Sequence, residues 1–331
     1  MNAIAGSAGY NFADHVIRCQ REQNSVLVCG LDPQPRQIPE FLFREFDTHM
    51  MDRTRLRLAI VEFNRRIIEA VRPYVCGFKP QAAFYEQYGY DGWWALEQTR
   101  EMVAQTGLFC LLDAKRGDGS DTAAAYAGLL TDVSIPSLTK TGVIFADRPG
   151  FDFDCMTVQP GIDEALMRQL LKKINPAGKG LQLVVKTSFD PESRTEQFVT
   201  DNGLMVWERQ AEFVRAWSEG TEGQEGYRTI GVVLGATREK DADRMREILP
   251  NNIFLIPGYG KQGGGATGAA RSFNRDGLGG MVNSSRGILY AYREKNYECD
   301  PKNFTEAAAR AAEDSRNELN AALELRIKEL Y

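Results

Sequence analysis

Four charged residues carry the first suggestion of chemistry. In LFCLLDAKRGDGSD (residues 108–121) an apolar run ends in Asp113, Lys115 and Asp118, and an earlier run, Tyr74–Phe78, ends at Lys79. Residues i and i+2 of a strand share a face, so Asp113 and Lys115 are expected to point together from the end of a strand. Gly117 permits a sharp turn before Asp118. Two lysines alternating with two aspartates hold one another ionised: the carboxylates oppose the loss of Lys charge on desolvation, and the ammoniums keep the carboxylates deprotonated. A fixed ammonium can then stabilise a developing carbanion and protonate it. The plain alternative is a buried ion-pair network. The chain has only two histidines, His15 and His49, both near the N-terminus, which leaves lysine as the expected proton donor. Arg116 and Asp121 are expected to face away.

A second cluster suits an anion. Residues 254–265, FLIPGYGKQGGG, contain G-x-G-x-x-G at Gly258, Gly260 and Gly263. As a dinucleotide fingerprint this is discounted, because it follows a late strand and the next residues are too glycine-rich to open a firm helix. A glycine loop with free backbone N–H groups still suits a phosphate. Farther on, VNSSRGILYA (282–291) places Arg286 at a helix start, where a guanidinium and backbone N–H groups can hold an anion. No GxxxxGK[ST] motif occurs.

Composition narrows the setting. The formal net charge is −5 over 331 residues, with 43% hydrophobic and 26% charged residues. An acidic chain argues against a nucleic-acid or anionic-membrane partner, though not against one phosphorylated small molecule. Six scattered cysteines without a CxxC pair suggest a reducing compartment. No segment approaches the ~20 apolar residues of a membrane helix, and residues 1–16 lack signal-peptide character. The expected location is the cytoplasm.

The elements that must position these residues follow from periodicity. Eight short apolar runs read as buried parallel strands: Val26–Leu31, Tyr74–Phe78, Leu108–Leu112, Cys155–Val158, Leu181–Val185, Ile230–Leu234, Ile253–Ile256 and Gly279–Val282. Helical spacing falls between most of them, at Arg53–Val71, Asp91–Ala104, Asp163–Lys173, Leu204–Trp217 and Arg238–Leu249, with a last helix near Thr305–Leu330. The alternation predicts a (β/α)₈ TIM barrel forming a single domain over 1–331. An open doubly wound sheet is the alternative. The polar residues after the runs (Asp32, Lys79, Asp113, Ser188, Thr237, Arg286) favour the barrel, whose strand ends converge on one mouth. The long connection at about 132–154 fits the scheme poorly.

Taken together, the motifs resemble the orotidine 5′-phosphate decarboxylases, nearest the second, mainly bacterial-type subgroup. The matching pieces are NFADHV, CGLDP (29–33), GFKPQAAFYEQYG (77–89), DAKRGD (113–118) with Thr122, VVKTS (184–188), GVVLGAT (231–237), LIPGYGKQGG (255–264) and VNSSRGILYA. They span nearly the whole chain. The resemblance implies cofactor-free, metal-free decarboxylation of orotidine 5′-monophosphate to UMP in pyrimidine biosynthesis. Lys115 would protonate C6, with Lys79, Asp113 and Asp118 completing the charged network. Asp32 and Lys79 would meet the ribose. Ser188 and Gln262 would contact the pyrimidine and the phosphate end, with Pro257 and Gly264 nearby, and Ser285 and Arg286 would lie at the phosphate. The resemblance further implies a homodimer in which Asp118 and Thr122 complete the other chain's site. The sequence departs from the family pattern at FDPES after Ser188, at TVQPGID (157–163), at GSD after Asp118, at Lys261, where a small residue is common, and in the length of 132–154. Two other readings are a Mg²⁺-dependent sugar-phosphate decarboxylase or aldolase of the same barrel group and a non-catalytic nucleotide-binding protein.

Overall fold

Short runs rich in Val, Ile, Leu and Phe, apolar on both faces, fit strands covered by helices on one side and by one another on the other. The computed structural model describes residues 9–331 apart from 160, 162, 163, 188–193 and 262. The strands are β1 (Leu27–Leu31), β2 (Gly77–Pro80), β3 (Phe109–Arg116), β4 (Asp132–Thr139), β5 (Gly142–Pro149), β6 (Cys155–Val158), β7 (Gly180–Lys186), β8 (Arg228–Leu234), β9 (Asn252–Ile256) and β10 (Gly280–Ser284). Eight of them close a parallel barrel in the order β1-β10-β9-β8-β7-β6-β3-β2. Because β1 pairs with both β2 and β10, the sheet has no edge and the open doubly wound alternative is excluded.

Helices at Asp52–Val71, Tyr90–Ala104, Glu164–Ile174, Val206–Trp217 and Glu239–Ile248 lie within two residues of their expected limits. The last helix, Phe304–Glu329, buries Ala307, Ala308, Ala311 and Ala312. These small side chains let it lie close against Asp52–Val71 and Ala266–Ala270. At the far end from the charged residues, the helix Phe12–Gln23 crosses the starts of the strands. Asn11 caps it by accepting from Ala13 N and Asp14 N, Phe12 stacks edge-on against Phe109 at 5.8 Å, and Gln20 Nε2 donates to Gly280 O at 2.6 Å. Arg246 ties the same end together by donating to the carbonyls of Leu249, Asn252, Ser272 and Gly279.

Two expectations shift. The second strand begins at Gly77 rather than Tyr74 and runs through Lys79 and Pro80, because pairing with β1 and β3 decides its register rather than the hydrophobic run. The 132–154 connection holds β4 and β5, an antiparallel hairpin separate from the barrel. Ile135, Leu138, Val143, Ile144 and Phe145 on it are all exposed.

Candidate active site

The carboxyl ends of the barrel strands surround a cavity of about 420 Å³. Asp32, Lys79, Asp113, Lys115, Pro257, Ser285 and Arg286 line it, so seven of the sequence-predicted residues meet at one mouth. Ser188 and Gln262 lie outside the described residues. Thr237 lines a separate pocket with Lys186 and Asp241.

Asp113 is the centre of the charged array. Its Oδ2 accepts from Lys79 Nζ at 3.0 Å and its Oδ1 from Lys115 Nζ at 2.6 Å. Burial alone would push this carboxyl up, but the two ammoniums outweigh it and hold Asp113 well below the usual carboxylate range. Lys79 is shifted up: burial disfavours its charge, and Asp113 and Asp32 more than compensate. The two lysines are placed differently. The Lys79 side chain is 4% exposed, whereas that of Lys115 is 48% exposed and open to the cavity.

Asp113 and Lys115 converge, but not by the simple alternation of a strand. The β3–β6 register passes from Leu112↔Met156 to Arg116↔Val158, so Asp113, Ala114 and Lys115 together oppose Thr157. This bulge puts Lys115 at φ +50°, a left-handed conformation that costs a non-glycine residue about 1–2 kcal/mol. Arg116 turns outward to pair with Glu86 and sits over the Tyr126 ring.

Asp118 and Thr122 are exposed and absent from the cavity wall. Asp118 Oδ1 accepts from the neighbouring Gly119 N at 2.6 Å, and among the described residues it meets neither lysine of the array. Within one chain the array is therefore Lys79–Asp113–Lys115, three members of the four expected. Gly264 also stays off the wall. Its N–H donates to Gly258 O and its carbonyl accepts from Gly260 N, so the glycine loop folds on itself and uses N–H groups that were expected to be free. A five-residue helix, Ala266–Ala270, does follow this loop.

Asp32 has an unusual setting. Burial raises its pKa above the ordinary value, while Lys79 and a hydrogen bond from Ser285 act in the opposite direction. Its Oδ1 is buried without a partner among the described residues, as is Asn283 Oδ1 on the same wall. Buried acceptors are normally satisfied, so two orphans on residues that line one cavity leave this wall able to accept donors from a ligand. Ser285 Oγ lies over Gly30, where an added Cβ would come within 1.8 Å of it, and accepts from Asn283 Nδ2 at 3.3 Å.

At the other end of the cavity stand Lys261, Tyr259, Gly258, Arg286 and Gly287, from the loops after β9 and β10. Arg286 is exposed and has no ion pair among the described residues, whereas Lys261 pairs with Glu294. Sequence reasoning gave no site role to Lys261, Asn283, Gln81, Thr187 or Thr157, all of which line the cavity. Lys261 could have been found from its place beside the glycine loop, and Thr157 as the one hydroxyl in the apolar run CMTV.

The orotidine 5′-phosphate decarboxylase / HUMPS family matches residues 27–298 of the chain. An orotidine 5′-phosphate decarboxylase of Caldicellulosiruptor saccharolyticus is 35% identical over 314 residues, covering 95% of this chain and 99% of that protein. One from Natronomonas pharaonis is 33% identical and covers 90% of this chain and 94% of its own length. Among solved structures, the Leishmania donovani OMP decarboxylase superposes with a TM-score of 0.69 at 25% identity, over 95% of this chain and 100% of that one. Matched in sequence from the first barrel strand past the last, and in fold over nearly its whole length, the chain belongs to the orotidine 5′-phosphate decarboxylase / HUMPS family.

Proposed function

We infer that this chain is a carboxy-lyase that converts orotidine 5′-monophosphate to UMP and CO₂. The observation that carries this reading is the Lys79–Asp113–Lys115 array, with Lys79 and Asp113 buried and Lys115 open to a cavity that Lys261 and Arg286 also line. When the C6–carboxylate bond breaks, CO₂ leaves and the electron pair stays on C6, in an orbital that cannot delocalise into the ring carbonyls. A positive charge already fixed beside C6 lowers the energy of that carbanion. Lys115 Nζ supplies the charge and then the proton, leaving a neutral amine that solvent reprotonates. Asp113 keeps both ammoniums in register.

Asp32 and Asn283 offer buried acceptors to the ribose hydroxyls, Lys79 borders the same region, and Ser285 steadies Asp32. Arg286, assisted by Lys261, binds the phosphate, with Pro257 and Gly258 forming that wall. Ser188 and Gln262 are assigned to the pyrimidine side and the phosphate end on the strength of their motifs. Phosphate contacts far from C6 can organise the site for the chemical step.

The working unit in this reading is a homodimer, built from a single-domain chain and acting in the cytoplasm. Asp118 and Thr122 are exposed and do not line their own chain's cavity, as residues serving a neighbour's site would be. The hairpin that follows them exposes apolar side chains on a two-stranded ribbon, an arrangement of marginal stability in water unless something packs on it.

The test is turnover of orotidine 5′-monophosphate, followed by absorbance in excess EDTA. Stoichiometric UMP and CO₂ are expected. Inertness toward this substrate, or activity that EDTA abolishes, would contradict the reading and favour a metal-dependent sugar-phosphate enzyme or a binding protein.

A further inference from the structure

Lys115, the proton donor in the reading above, sits on a backbone that a regular strand would not give it, and one hydroxyl supports that backbone. Thr157 Oγ accepts from Lys115 N at 2.9 Å and lies 2.9 Å from Asp113 Oδ1. The polarity of both bonds is fixed. A backbone N–H can only donate and an ionised carboxylate can only accept, so the Thr157 oxygen receives the Lys115 proton and gives its own to Asp113. Thr157 is 1% exposed, so no solvent competes for the hydroxyl.

The arrangement answers two demands of the bulge at once. An extra residue in a ladder leaves a backbone N–H without its strand partner, and the Thr157 oxygen takes the place of that partner. Asp113 Oδ1 would otherwise be held by Lys115 Nζ alone, with only the Lys79 bond to Oδ2 restraining the carboxylate. The hydroxyl pins the oxygen at a second point. Main chain and carboxylate are thereby held by one atom, on either side of the Lys115 side chain.

We propose that Thr157 is a positioning residue for the proton donor: its hydroxyl fixes the Lys115 backbone and the Asp113 carboxylate together, and so sets where the Lys115 ammonium stands relative to the scissile carbon. Thr157 touches the reaction only through these two groups. Its removal therefore reaches the chemical step and leaves the ribose and phosphate contacts in place.

The inference rests on the decarboxylase reading and is tested with three variants of the full chain. Thr157→Val keeps the shape and removes the hydroxyl, Thr157→Ser keeps the hydroxyl, and Thr157→Ala serves as a second hydroxyl-free form should valine fail to pack. Turnover of orotidine 5′-monophosphate is expressed per UMP-binding site, which removes any misfolded fraction. Loss of a charge-assisted bond and an orphaned N–H predict a fall in kcat of about 10- to 100-fold for the hydroxyl-free forms, with KM changed less than about threefold. Serine should recover kcat to within about fivefold of wild type. Wild-type kcat in Thr157→Val, equal loss in serine and valine forms, or an effect confined to KM would overturn the inference. A wild-type chain inert toward the substrate would overturn the reading beneath it, and the inference with that reading.

Discussion

Asp113 and Asp32 are both carboxylates in the wall of one cavity, and their surroundings push them in opposite directions. Asp113 sits between two ammoniums and is lowered, so its stabilising contribution is present above the ordinary carboxylate pKa and is lost as pH falls through its depressed folded value. Lys79 is raised, and its contribution is present below the ordinary lysine pKa and lost as pH rises through the folded value. Asp32 has the unfavourable sign. With a folded pKa above the unfolded one, its ionisation opposes folding at neutral pH, Lys79 included in that balance. Asp32→Asn imitates the protonated form, so it should make the free protein more stable to urea at pH 7 while raising KM about tenfold or more, as contacts to the ribose are lost. An unchanged KM would remove Asp32 from the binding site. Lys79, Asp113 and Lys115 were legible in sequence because charge at the end of an apolar run is costly and calls for an explanation. Thr157 was not, since a lone hydroxyl in CMTV reads as an ordinary strand residue until the bulge in β3 is seen.

The strands set what these residues can do. Seven of the eight barrel strands start within two residues of where their apolar runs placed them, because parallel strands buried on both faces carry an unbroken hydrophobic signal. The second strand departs because its end at the cavity is polar. Lys79 and Pro80 belong to β2 by pairing and not by hydropathy. The hairpin was illegible for a different reason: Pro136 within β4 argues against a strand in sequence, and neither strand buries a face that would impose alternation. Close contact between β1 and β10 gives the prediction at this scale. Gly30→Ala would drive a methyl group into Ser285 Oγ, displacing Ser285 from the cavity wall it shares with Asp32. Overpacking of this kind typically costs about 1–3 kcal/mol, so a lower thermal midpoint together with weaker UMP binding is expected. Unaltered binding would show that Ser285 does not organise the ribose side.

At the scale of the whole molecule, the barrel gathers most of the residues expected at the site and leaves two of them facing outward. The closed sheet gathers Lys79, Asp113, Lys115, Asp32 and Arg286 around one cavity, while Asp118 and Thr122, a few residues beyond Lys115, remain on the exterior. The resemblance supplied the dimer in the sequence reading, because composition and periodicity carry no information about which surface meets a second copy. The exposed apolar hairpin adds a physical reason for one. If Lys115 of one chain works with Asp118 of the other, Lys115→Ala and Asp118→Ala damage different halves of a shared site. The most direct measurement is orotidine 5′-monophosphate decarboxylation by each variant alone and by an equal mixture refolded together. Each variant alone should be nearly inactive. The mixture should recover about a quarter of wild-type activity, because half of its dimers are mixed and each of those holds one intact site. A mixture as inactive as its components, or a Lys115→Ala chain that decarboxylates at the wild-type rate, would contradict the account.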